Sequence, residues 1–127
     1  MDVLQDIHSI VRWAIVVVGL LAAAKSAYGW LTKAKFGPAD RGLMSGFVGL
    51  LDLQLLLGAV LLIGRGVTGF RMEHATTMLL AVAAGHFSMR WRSVPDAIRF
   101  RNNLIVIVVV FALVLTGVAR LPQGWFG

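Results

Sequence analysis

The sequence predicts an all-α integral membrane protein, an up-down four-helix bundle with both termini on the outer side of the membrane. Three observations predict it. Four apolar stretches, Ile7–Trp30, Leu43–Ile63, Met72–Met89 and Leu104–Ala119, fill most of the 127 residues. Each is long enough, or nearly so, to cross a hydrocarbon core of about 30 Å at about 1.5 Å per residue. The composition agrees, with 58% apolar and 14% charged residues, which excludes disorder and argues against a soluble domain. The basic residues are also sorted by loop, as set out below.

The four spans leave room for one domain, residues 1–127. The first span is expected to remain as a helix and not to be cleaved as a signal, because Asp2 and Asp6 before it are acidic and no small-x-small cleavage site introduces a soluble domain. After it, Phe36-Gly37-Pro38-Ala39-Asp40 reads as a turn. The second span ends at a short loop, Gly64–Gly69. The third is followed by a break at Ser93-Val94-Pro95-Asp96, where Asp96 is expected to cap a short interfacial helix running to Arg101. The fourth span is Val, Ile, Leu and Phe almost throughout and reads as lipid-facing and structural. Small residues mark expected close approaches: Gly19, Ala22 and Ser26; Ser45, Gly46, Gly49 and Ala59; Ala81 and Gly85.

The loops after the first and third spans hold Lys33, Lys35, Arg41, Arg90, Arg92, Arg99 and Arg101, seven of the twelve Lys and Arg. The loop on the other side holds two, Arg65 and Arg71. The positive-inside rule places the first set in the cytoplasm of a bacterial inner membrane and both termini in the periplasm. Lys25 is expected to snorkel to the inner surface. Trp13 and Trp125 then mark the outer interface, and Trp30 and Trp91 the inner one, as an aromatic belt requires. The net charge of +6 is thus a topology signal and does not call for nucleic acid.

Polar groups inside the spans are few, and each needs a partner or a task. They are His8, Arg12, Asp52, Gln54, Glu73, His74 and His86. His8 and His74 start the first and third helices, which are diagonal in an up-down bundle and run the same way. Two imidazoles at one level on diagonal helices are how a bundle holds haem iron through axial ligands. Arg12 lies one turn below His8, and Arg71 just before His74; either suits haem propionates. Thr77, Met78, Ala81 and Gly85 follow on the His74 face and leave room for a flat macrocycle. The plainer reading makes both His interfacial side chains, with Arg12 pairing to Asp6 or Glu73 or reaching outward. A third reading takes His8, Met72, His74 and Met78 as soft copper ligands, although Met at this spacing usually packs.

His86 lies about 120° around the helix from His74, so one haem face does not hold both. It stands at a depth that Asp52 can approach. Such a pair either relays a proton or serves as a structural hydrogen bond between adjacent helices. Ser45, Gly49, Asp52, Leu56 and Ala59 share one helical face, which is expected to point into the bundle. With no Cys there is no disulfide or thiolate metal site, and no hydrolase, phosphate-loop or dinucleotide motif occurs.

The segments His8-Ser9-x-x-Arg12-Trp13, Gln54-Leu55-Leu56-Leu57-Gly58 and Met72-Glu73-His74, with Met78 and His86, resemble a group of small four-helix bacterial membrane proteins loosely labelled cytochrome-b-like. The resemblance runs over the first three helices and fades in the fourth. It implies haem b and electron exchange with a quinone or a periplasmic carrier. In that group a His often stands where this chain has Asp52, which implies that a second, inner His pair is missing here and leaves only the outer site. The rival expectation is a cofactor-free accessory subunit of a larger respiratory or photosynthetic complex, or a homo-oligomer, in the same membrane.

Overall fold

The computed structural model describes residues 2–65, 69–91 and 94–119; the side chains of Asp2, Arg65, Phe70, Arg71, Met89, Trp91 and Ala119 lie outside that description. The regular elements among the described residues are all helical. They are α1 (Asp2–Thr32), α2 (Pro38–Arg65), α3 (Gly69–His86), a short 3-10 helix (Phe87–Trp91) and α4 (Asp96–Ala119). Three of the four helices, α1, α2 and α4, are long and apolar enough to cross a membrane.

The helix ends explain where the expected boundaries shift. α1 ends in a paired-bond C-cap: Lys33 adopts φ 55°, its N–H donates to Trp30 O, and the Ala34 N–H donates to Gly29 O at 3.0 Å. The expected turn at 36–40 is shorter than its sequence suggests. Pro38 opens α2, its missing N–H costing nothing in the first turn. Asp40 Oδ2 then accepts the Gly37 N–H at 2.9 Å, closing the start of the helix. α3 stops being α-helical at His86, three residues before its expected end, and tightens into the 3-10 turn. There is no separate helix over 96–101. The Arg99 N–H donates to Pro95 O at 3.0 Å, and with no Gly or Pro until Gly117 the helix started there runs on through α4.

The helices form a ring in which α1 packs on α2 and α4, and α3 packs on the same two; the diagonal pairs scarcely meet. α1 is antiparallel to both neighbours, since His8 is level with Gly58 and Lys25 with Asp40 on α2, while Gly19 meets Phe111 and Gly29 meets Phe100 on α4. Trp13 and Trp30 stand half-exposed toward opposite ends of α1.

α4 is not the lipid-facing wall expected of it. It carries Phe100, Val106, Ile107, Val110, Val114 and Val118 into the core, along with the buried Asn103, and keeps Ile105, Val108, Val109 and Leu115 outside. A uniformly apolar helix gives no pattern by which its buried face can be read. The α1–α4 contact depends on two glycines. A Cβ on Gly19 would lie 2.3 Å from a ring carbon of Phe111, and one on Gly29 would lie 2.5 Å from the Phe100 ring. Phe100 is fully buried and has nowhere to move. Gly29→Ala is therefore expected to destabilise the fold by about 1–3 kcal/mol through overpacking. Gly46→Ala, where a Cβ meets nothing within 4 Å, should leave the thermal midpoint in detergent nearly unchanged.

Small residues on α1 and α3 do bring helices together: Ala22, Ser26 and Ala81 are buried, and Gly85 lies against Leu51 and Val48. Those on α2 do not. Ser45, Gly46, Gly49, Asp52, Leu56 and Ala59 all face outward, contrary to the inward stripe expected of them. The opposite face of α2 is filled by Met44, Phe47, Val48 and Leu51, larger apolar groups that gain more from the core.

Candidate functional site

At the end of the bundle where α1 and α3 begin, the structure gathers His8, Arg12, Gln54 and His74. His8 is anchored through its backbone: Gln54 Nε2 donates to His8 O at 2.8 Å, a bond from α2 to α1. Its ring lies against Gly58, where a Cβ would stand 3.4 Å from His8 Nε2. His8 and His74 are electrostatic neighbours across the diagonal, and Arg12 is a neighbour of both. The Arg12 guanidinium also lies 5.7 Å from the Trp13 ring centroid. The Arg71 side chain, expected beside His74, lies outside the described residues.

His74 is the best-defined group of the set. Its Nδ1 lies 2.8 Å from Gly117 O. A carbonyl only accepts, so Nδ1 carries the proton and Nε2 keeps its lone pair. A backbone acceptor behind the ring both fixes the tautomer and aims the other nitrogen, as ligating His usually requires. Gly117 is held in turn by Thr77 and Met78, which fill the space a side chain there would need. Ala81 and Gly85, expected to leave room for a macrocycle, instead pack in the bundle interior.

Two features bear on a metal-bearing group here. Among the described residues no three His, Asp or Glu side chains converge on one point. Gln54 Oε1 is buried and has no hydrogen-bond partner among the described residues. A buried acceptor left so implies a further donor at this site, such as ordered water or a ligand group. In donor chemistry alone, His8 and His74 offer imidazole nitrogens of the kind that would hold a haem iron, and Arg12 a cation that would suit a carboxylate.

A second constellation lies between α2 and α3, further along the bundle. His86 Nε2 is 2.9 Å from Asp52 Oδ1 and 3.2 Å from Oδ2. Both side chains are nearly half exposed, so the pair sits on the flank of the bundle and not inside it. His86 and His74 do not share a site. At the far end Lys25, expected to reach for the surface, instead bonds Asp40 Oδ1 at 2.7 Å, and Asp40 is buried.

Sequence reasoning did not find Gly117, because a backbone acceptor leaves no trace in residue type. Gln54 was visible as a polar group in an apolar run, although its bond to α1 was not. The fold and sites together define a small all-helical bundle with three apolar helices of membrane-spanning length and a paired-histidine end. No protein-family model matches the chain, and neither a curated protein nor a solved structure does. The likeness to cytochrome-b-like membrane proteins therefore stands on the motif residues alone.

Proposed function

We propose that this chain is an integral membrane protein of b-type cytochrome character, holding one haem between His8 and His74 and exchanging electrons with a quinone or a periplasmic carrier. The observation that carries the reading is the His74 Nδ1–Gly117 O bond, which leaves Nε2 of that imidazole free to act as a ligand at the end of the bundle where His8 also lies. Haem when bound supplies a one-electron couple. The protein's part is to hold the two imidazoles, to keep Arg12 and Arg71 near the propionates, and to limit water by the surrounding apolar helices.

Insertion in a bacterial inner membrane is part of the proposal. α1, α2 and α4 support it by length and composition. α3 has 18 residues, about 27 Å of helix, and its 3-10 extension adds length. The basic loops support N-out, C-out topology. A reporter that works only after export, fused beyond Gly127, is expected to be active; activity confined to the cytoplasm would reverse the topology.

The second reading, a cofactor-free accessory subunit, is favoured by one feature. The outward face of α2 presents Gly42, Gly46 and Gly49 with nothing near them, beside a half-exposed ion pair, and such a face suits a neighbouring helix. Colour separates the two readings. Reduced protein from haem-replete cells should show a sharp b-type band. Well-folded, colourless protein migrating with a larger complex would favour the subunit.

A further inference from the structure

The Asp52–His86 pair forms one end of a cleft of about 590 Å³ that runs down the flank of the bundle between α2, the 3-10 helix and α4. The volume is in the range of small-molecule sites, about 300–1,000 Å³. Its other end is cationic: Arg41 comes from the first turns of α2 and Arg99 from the first turn of α4. Arg99 is braced, with its guanidinium carbon 3.8 Å from the ring centroid of Phe36, and Phe36 rests on the buried Phe100 at 5.1 Å.

Asp40, next to Arg41 in sequence, is buried and engaged by Lys25 and the Gly37 N–H, and it does not line the cleft. Among the described residues, Asp52 is the one carboxylate in the lining, and it holds His86. Between the two ends the lining includes the buried Met44 and Val48 and the exposed Ser45 and Gly49. A Cβ on Gly49 would meet nothing within 4 Å, so the cleft is open toward the surroundings there. From Arg41 to Gly49 this makes about 12 Å of mostly apolar trough along α2.

We propose that this cleft binds an anionic phospholipid, with its phosphate between Arg41 and Arg99 and one acyl chain over Met44, Val48 and Gly49. Two guanidinium groups from different helices suit a phosphate, which takes their forked donors in pairs. The trough suits a chain that leaves sideways over Gly49 into the bilayer. A free inorganic anion would use the arginines but not the trough. The site lies at the end of the bundle that carries Lys33, Lys35, Arg90 and Arg101, the end that faces the anionic leaflet in the proposed topology. The proposal rests on the membrane-spanning reading and is independent of haem.

The test uses the whole protein reconstituted into phosphatidylcholine vesicles with and without phosphatidylglycerol, then released in mild detergent for native mass spectrometry. Wild-type protein should retain phosphatidylglycerol in preference to phosphatidylcholine. Arg41→Gln should lower that preference about fivefold, and Arg41→Gln with Arg99→Gln about thirtyfold. Gly49→Leu adds apolar bulk at a lining position where a Cβ meets nothing within 4 Å, so it should crowd the acyl chain and release lipid while the helical spectrum stays intact. Added inorganic phosphate should not displace the lipid. Equal retention of both lipids by wild type overturns the proposal. So does displacement by phosphate together with an unaffected Gly49→Leu variant, which would mark a free-anion site, or a protein subunit found covering the cleft. Protein stripped from vesicles by alkaline carbonate would instead refute the membrane reading itself.

Discussion

His74→Ala is expected to abolish the b-type absorption band of the reduced protein and to lower haem content by well over tenfold. His8→Ala should do the same. The argument turns on the Gly117 carbonyl. Because it accepts the Nδ1 hydrogen bond at 2.8 Å, only Nε2 of His74 is left to bind iron. Gln54→Leu supplies a graded test. It removes the bond that ties α2 to His8 O, and with it the orphan acceptor, so haem should still bind but less tightly, within the range of about 10–100-fold that supporting residues contribute. His86→Ala is the control, since His86 pairs with Asp52 on the flank and should leave the band unchanged. If His74→Ala retains a full band at unchanged position, His74 is not a ligand and the cytochrome reading fails.

The diagonal placement of α1 and α3 was legible because it rests on order and length. Four apolar runs joined by short breaks put the first and third helices on a diagonal, and the places of His8 and His74 in those runs set their level. Nothing comparable was legible for α2. Helical spacing fixes which residues share a face, but not where the face points. In a soluble helix polarity would decide it, yet here Ser45, Gly49 and Ala59 compete only with Met44, Phe47 and Leu51, all apolar or small. The larger side chains took the core. The same ambiguity hid the burial of α4, whose Val and Ile residues look alike on every side. Asn103 was the one clue to its inner face, and it lies in that helix's second turn with the side chain buried. Pro38 misled for a different reason. A Gly-Pro pair usually signals a turn, but Pro is equally at home in a helix's first turn when, as with Asp40, a residue two places on satisfies the cap.

Lys25→Ala is expected to destabilise the protein more than any loss of a surface charge, by about 3 kcal/mol. Asp40 is only 5% exposed, and its two oxygens are divided between Lys25 Nζ at 2.7 Å and the Gly37 N–H at 2.9 Å. Removing the ammonium leaves a buried carboxylate with one backbone donor. The low end of the usual cost applies because Lys25 is itself about a third exposed and water can reach part of the site. The ammonium also lies 5.6 Å from the Phe100 ring centroid, the same ring that meets Gly29, so its loss loosens the α1–α4 contact as well. Asp40→Asn should cost less than Lys25→Ala, since the amide still accepts from Gly37 and the ammonium left without its carboxylate is on the more exposed partner, where water can reach it. Lys25→Ala with Asp40→Asn should recover part of the lost midpoint, and that non-additivity is the signature of a coupled pair. Thermal unfolding in detergent, followed by helical circular dichroism, checks all three variants. If Lys25→Ala unfolds within a degree of wild type, the bond does not lock α1 to α2 and the Asp40 carboxylate has found water instead.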